Sequence, residues 1–129
     1  MKLDWTQGEL AEGLRCYNAA EFFAAHEAWE SLWLAAPEPE KTFLQGVIQV
    51  AAAFHHLQRN NPLGATRLLH ASLRRLDPRP ADFGSLSLGL FRDDIRHCLQ
   101  ILAANSPAMP TPPRILPTFV INNPDSPGL

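Results

Sequence analysis

The stretch Gly46-Val47-Ile48-Gln49-Val50-Ala51-Ala52-Ala53-Phe54 constrains this chain more than any other. At helical pitch it is apolar on nearly every side, and such a helix is stable only when other helices surround it. The chain must therefore supply neighbours, and helical signals recur on both sides while the alternation of a strand is missing. Thr6-Gln7-Gly8-Glu9 has the form of a capping box, with Leu10, Leu14 and Tyr17 behind it at helical spacing. Asn18, with Glu21 three residues on, reads as a second N-cap for a helix that Pro37 and Pro39 stop.

The apolar helix itself is expected from about residue 38 to 59. Asn61-Pro62 then supplies a cap and a first-turn proline. The helix that follows places Leu68, Leu69, Leu73 and Leu76 on one side and stops before Asp77-Pro78. Residues 77–86 are loop by composition. A last helix is expected over 87–105, with Leu88, Phe91, Ile95, Leu99 and Leu102 as its stripe. Seven of the twelve prolines fall between Pro107 and Pro127, which excludes helix and central strand there. Ile115, Leu116, Phe119, Val120 and Ile121 are nevertheless too apolar for a fully solvated tail. Part of it is expected across an apolar groove, on its own subunit or a partner's, with the last residues disordered.

The fold expected is all-α: a single-domain bundle of about five antiparallel helices over residues 1–105, with an extended proline-rich tail over 106–129. A chain of 129 residues suits one core without staples. Eleven basic and thirteen acidic side chains leave a net charge of −2, so nucleic acid is an unfavoured partner. Arg67, Arg74, Arg75 and Arg79 then read as a solvated face. The two cysteines, Cys16 and Cys98, are too few and too far apart for a disulfide framework or zinc knuckle and read as reduced, buried thiols. Neither a signal peptide nor a membrane span is recognisable, and the expected compartment is the cytoplasm.

The chemistry-bearing segment is Phe22-Phe23-Ala24-Ala25-His26-Glu27-Ala28-Trp29-Glu30-Ser31-Leu32-Trp33. Phe22, His26, Trp29 and Trp33 share one helical face, flanked by Glu27 and Glu30. Three readings fit. His26 and Glu30, at i and i+4, could chelate a divalent metal with His55 as a further ligand. Imidazole and carboxylate could form a general acid–base pair, with His26, Glu27 and Glu30 as the catalytic candidates. Or a buried histidine is simply satisfied by Glu30 or across the bundle. The zinc-protease signature H-E-x-x-H is not met, because Glu30 stands where the second histidine belongs.

On the apolar helix, Gln45, Gln49 and His56 form a stripe, with His55 to one side. Mid-helix glutamines need partners when buried, so His26, Glu27 or Glu30 is expected to meet Gln45 or Gln49 across the hairpin. Trp29, Trp33, Gln45, Gln49 and His55 are accordingly the candidates for orienting a ligand. His70 and His97 stand without a motif.

With these residues laid out, the run Tyr17-Asn18-Ala19-Ala20-Glu21-Phe22-Phe23-Ala24-Ala25-His26-Glu27-Ala28-Trp29-Glu30-Ser31-Leu32-Trp33 resembles the opening motif of the family called domain of unknown function 309. Phe43–Ala53, the histidine at His55 or His56, and Asn61-Pro62-Leu63-Gly64-Ala65 continue the resemblance. It implies a small helical bundle of bacteria and archaea in which His26, Glu27, Trp29, Glu30, Trp33, Gln45, Gln49 and His55 act as one cluster. It implies no substrate or cofactor. The function expected is a non-catalytic interaction or assembly module, its partner being a second copy, another protein or a small ligand. The alternative is a small metal-dependent or acid–base enzyme, hydrolase-like, or a small-ligand-binding protein using the same cluster.

Overall fold

Helix follows helix in the computed structural model, which describes residues 1–118. The elements are α1 (Gly8–Asn18), α2 (Phe22–Ala35), α3 (Glu40–Gln58), α4 (Pro62–Leu76) and α5 (Leu88–Ala103), with a 3-10 turn at Phe83–Ser85 before α5. Phe119, Val120 and Ile121, and the disorder expected for the last residues, lie outside the described residues.

Each helix packs on its predecessor. Side-chain pairs show that the neighbours from α1 to α4 run antiparallel. Tyr17 at the end of α1 meets Phe22 at the start of α2, while the Trp29 indole reaches the carbonyl of Leu10. Phe22 likewise meets Phe54 at the far end of α3, and the Ser72 hydroxyl donates to the Gly46 carbonyl, tying α4 to α3. The apolar run of α3 is the centre of the core: Phe43, Leu44, Val47, Val50, Ala51 and Ala53 are essentially inaccessible. Burial of each large apolar side chain is worth roughly 1.5–3 kcal/mol relative to exposure. This surface is what holds α3 in place.

Helix ends follow local chemistry, though not always the chemistry expected. Asn61 caps α4, its Oδ1 accepting the Gly64 N–H at 3.0 Å with Pro62 in the first turn. The capping box at Thr6 does not form. Asp4 takes both the Thr6 hydroxyl and the Thr6 amide, and α1 starts at Gly8 without a side-chain cap. Nor does Asn18 cap α2. It remains the last residue of α1, and the Glu21 amide returns to the Cys16 carbonyl at 2.8 Å to close the turn. At α3, Glu38 accepts from the Thr42 amide and hydroxyl, and these hydrogen bonds hold its carboxyl below the usual range.

The base of the bundle is closed by three segments far apart in sequence. Trp5 packs edge-on against Trp29 and donates its indole N–H to the Gly84 carbonyl at 2.7 Å. Gly84 has φ of 78°, and a Cβ there would lie 2.3 Å from the Phe43 ring. Only glycine fits that turn without displacing the core. The third segment, residues 110–118, is extended and packs on its own subunit. Pro113 and Ile115 are buried, Leu116 is partly exposed, and Leu86 forms an isolated antiparallel bridge with Pro117. Cys16 and Cys98 are both free and buried, and burial raises both thiols, Cys98 to about 11.

Candidate functional site

Helix α2 divides its residues by angle. Phe22, Ala25 and Trp29 form its buried stripe, so α2 turns that side to the core. At 100° per residue His26 stands about 60° to one side of Trp29, and Glu30, Phe23 and Leu34 follow farther round. The four residues expected on one face, Phe22, His26, Trp29 and Trp33, do fall within about 60° of arc, with Phe22 and Trp29 buried and Trp33 and His26 half-buried toward the rim.

Trp29 is wholly buried, its indole N–H donating to the Leu10 carbonyl at 3.1 Å. It is a core side chain with its polar atom satisfied. His26 and Glu30 lie at the rim, their side chains 35% and 49% exposed, with Nε2 and Oε2 3.7 Å apart. That separation is a close approach, longer than a direct hydrogen bond. Glu27 is exposed, one step farther from the core.

Phe23 is the residue that sequence reasoning missed. It is 53% exposed, and its ring lies 6.2 Å from His26 and 5.5 Å from His55, centroid to centroid. Adjacent to the buried Phe22, it reads as one more core residue. Its position three before His26 was the available signal. His55 continues to His56 at 6.4 Å, whose Nδ1 is 2.9 Å from the Asn61 amide nitrogen. An amide nitrogen can only donate, so that contact requires Nδ1 to be the acceptor.

The glutamines do not meet the acid–histidine pair as expected. Gln45 and Gln49 are half-buried on α3, and neither makes a side-chain hydrogen bond to His26, Glu27 or Glu30. Gln49 Oε1 and Trp33 Nε1 are instead buried acceptor and donor without protein partners. The reason is the rotation of α2: His26 and Glu30 lie beside each other along their own helix, at its rim toward water. The metal reading is likewise reduced to two groups. Among the described residues no three His, Cys, Asp or Glu side chains gather around one point, and the Phe23 ring contacts both His26 and His55. Five surface depressions, the roomiest of about 380 Å³ beside Leu86 and Leu90, are lined by other segments, and none of these five includes a candidate residue.

The chemistry available at this face is therefore that of a surface: an aromatic ring beside two imidazoles, and two carboxylates. No helix among the described residues is long and apolar enough to cross a membrane.

Comparison with known proteins places this face within a recurring sequence unit. Residues 10–68 match the family model described as Domain of unknown function (DUF309), a span holding every candidate residue. An uncharacterized protein of Aquifex aeolicus (strain VF5) is 30% identical over 84 residues, which cover 64% of this chain and 25% of that protein. Uncharacterized protein YpuF of Bacillus subtilis (strain 168) is 39% identical over 57 residues, 43% of this chain and 33% of its own length. The chain thus spans only about a quarter to a third of the curated relatives it matches.

Proposed function

We propose that this chain, whose residues 10–68 carry the pattern of that family, is a non-catalytic interaction module that docks a basic amphipathic helix along the outer face of α2. The observation that carries this reading is one exposed stripe. Phe23, Glu27, Glu30 and Leu34 recur at helical spacing, with Phe23 53% and Leu34 59% exposed at its two ends. Residues 21–36 hold three glutamates and neither lysine nor arginine. Apolar anchors bracketing carboxylates suit a partner helix with leucine-like residues on one side and lysine or arginine beside them. The recurrence of the matched unit inside longer proteins supports a module.

The acid–base alternative has weaker support, because the His26–Glu30 pair is half-exposed and a general base works best where water is excluded. We place the protein in the cytoplasm, a reading that the two buried free thiols support.

Titration with a synthetic Leu/Lys amphipathic peptide, followed by tryptophan fluorescence, tests the docking. Saturable binding is expected, weakened about tenfold, or about 1.4 kcal/mol, by Phe23→Ser or Glu30→Lys. Leu63→Ser, on α4 and 61% exposed, is the control that leaves it unchanged. Equal affinity for a Leu/Glu peptide, or indifference to Glu30→Lys, would refute it. His26→Ala serves as a stability control: a half-exposed pair is worth under about 1 kcal/mol.

A further inference from the structure

The segment from residue 110 to 118 is held as a bound peptide is held. It runs back along α5 in the opposite direction, so that Thr111, Arg114 and Leu116 reach Cys98, Asp94 and Ser87 in turn. Most of the bonds are to its main chain. The Tyr17 hydroxyl donates to the Pro113 carbonyl at 2.6 Å, and the Cys98 thiol to the Thr111 carbonyl at 3.2 Å. The Ser87 amide donates to the Leu116 carbonyl, and the Thr118 amide to the Ser85 carbonyl, both at 2.9 Å. Side chains alternate: Pro113 and Ile115 are buried while Arg114 and Leu116 face outward. Main-chain bonds with pockets for every second side chain are the pattern of extended-peptide recognition.

One latch adds charge. Asp94 accepts the Arg114 amide at 2.9 Å and its guanidinium at 2.9 and 3.1 Å. By contrast, the connection from α5 to this strap is loosely held. Residues 104–109 are all exposed, and a cavity of about 280 Å³ separates them from Leu57 and Pro62. Their side-chain bonding is local, Ser106 Oγ accepting the Ala108 amide. Every contact that specifies the strap therefore lies within the strap and its groove.

We propose that the groove between α1, α5 and the 83–87 turn is a recognition site for an extended Pro-Arg-Ile segment, filled here by the chain's own residues 110–118 and able to take the same segment from a second copy. The groove reads nothing in the connection, so a second copy's strap makes the same bonds. Straightening residues 104–109, about 20 Å of chain when extended, carries the strap away from its own α5. Exchange of an identical element is a low-cost route to a closed dimer, since each bond lost within a chain is regained between chains. In the isolated molecule the tether favours the intramolecular arrangement, because it holds the strap at millimolar effective concentration. The reading is independent of the α2 stripe.

The test uses two full-length variants, Asp94→Arg and Arg114→Asp. Each alone sets like charges against each other within one chain. Mixed, the strap of either restores the opposite-charge latch in the groove of the other. The expected result is a heterodimer of two chains' mass as the dominant species on mixing, with each variant alone lighter. The Cys98 thiol, under Thr111, should alkylate faster in each variant alone and be protected again in the mixture. A mixture that stays monomeric with both variants folded by circular dichroism overturns the proposal. Should either variant fail to fold, the wild-type chain is refolded from guanidinium over a range of concentrations. A dimer fraction that grows with concentration and is abolished by Pro113→Asp supports exchange, and monomer throughout overturns it.

Discussion

Replacing Gly84 by alanine tests the account of how the base of the bundle is closed. Two separable costs are expected. A φ of 78° puts an L-residue in the left-handed region, worth about 1–2 kcal/mol. The new Cβ would also lie 2.3 Å from Phe43 Cζ and 2.6 Å from Cε2. Phe43 is fully buried and packs on Phe83 with centroids 5.2 Å apart, so its ring has nowhere to retreat. Overpacking of that kind costs about 1–3 kcal/mol. Gly8 is the matched control. Its φ is 57°, and nothing stands within 4 Å of an added Cβ, so Gly8→Ala bears the backbone cost alone. The two variants should differ by about 1–3 kcal/mol, or roughly 4–12 °C in Tm at about 4 °C per kcal/mol for a domain of this size. Thermal and urea unfolding followed by tryptophan emission reads the difference, since the Trp5 indole donates to the Gly84 carbonyl. Equal losses in the two variants would show that the ring yields and that the turn is not wedged against the core.

Two further outcomes are expected from the same region. Tyr17→Phe strands the buried Pro113 carbonyl and should lower stability by about 1–3 kcal/mol in urea titration, with no change from a merely solvated hydroxyl counting against the bond. The Arg114 guanidinium holds the Asp94 carboxyl below its usual range, so the latch contributes fully above about pH 4 and is lost as pH falls through the lowered value. Hydrogen exchange should show the protection of the Arg114 amide disappearing over that acidic window, and protection unchanged from pH 6 to pH 2 would contradict the assignment.

The legible parts of the molecule were those in which one residue decides. Pro37 and Pro39 end α2 because a proline cannot extend it, and Asn61-Pro62 starts α4 because cap and first turn are local. The burial of α3 followed from its composition alone. Where two residues compete, reading failed. Asp4 outbids Glu9 for Thr6, and the return of the Glu21 amide to Cys16 replaces a cap by Asn18. The candidate cluster was legible in its membership and not in its contacts. Whether His26 meets Gln49 depends on the rotation of α2, which Ala25 and Trp29 set by packing inward, and periodicity locates such a face only to within several tens of degrees. The strap was legible as extended and partly buried, because its prolines and Ile115 say so. That it bonds to Tyr17 and Asp94 in its own chain is a matter of three-dimensional reach.

The closure of the base has an architectural consequence. Residues 2–6 and residues 117–118 line one depression, with Ser85 between them. The segment ahead of the first helix and the end of the strap at Pro117 and Thr118 therefore meet on the same side of the bundle. A unit built that way can be spliced into a longer polypeptide as a side-loop, both junctions sharing one doorway, without prising the helices apart.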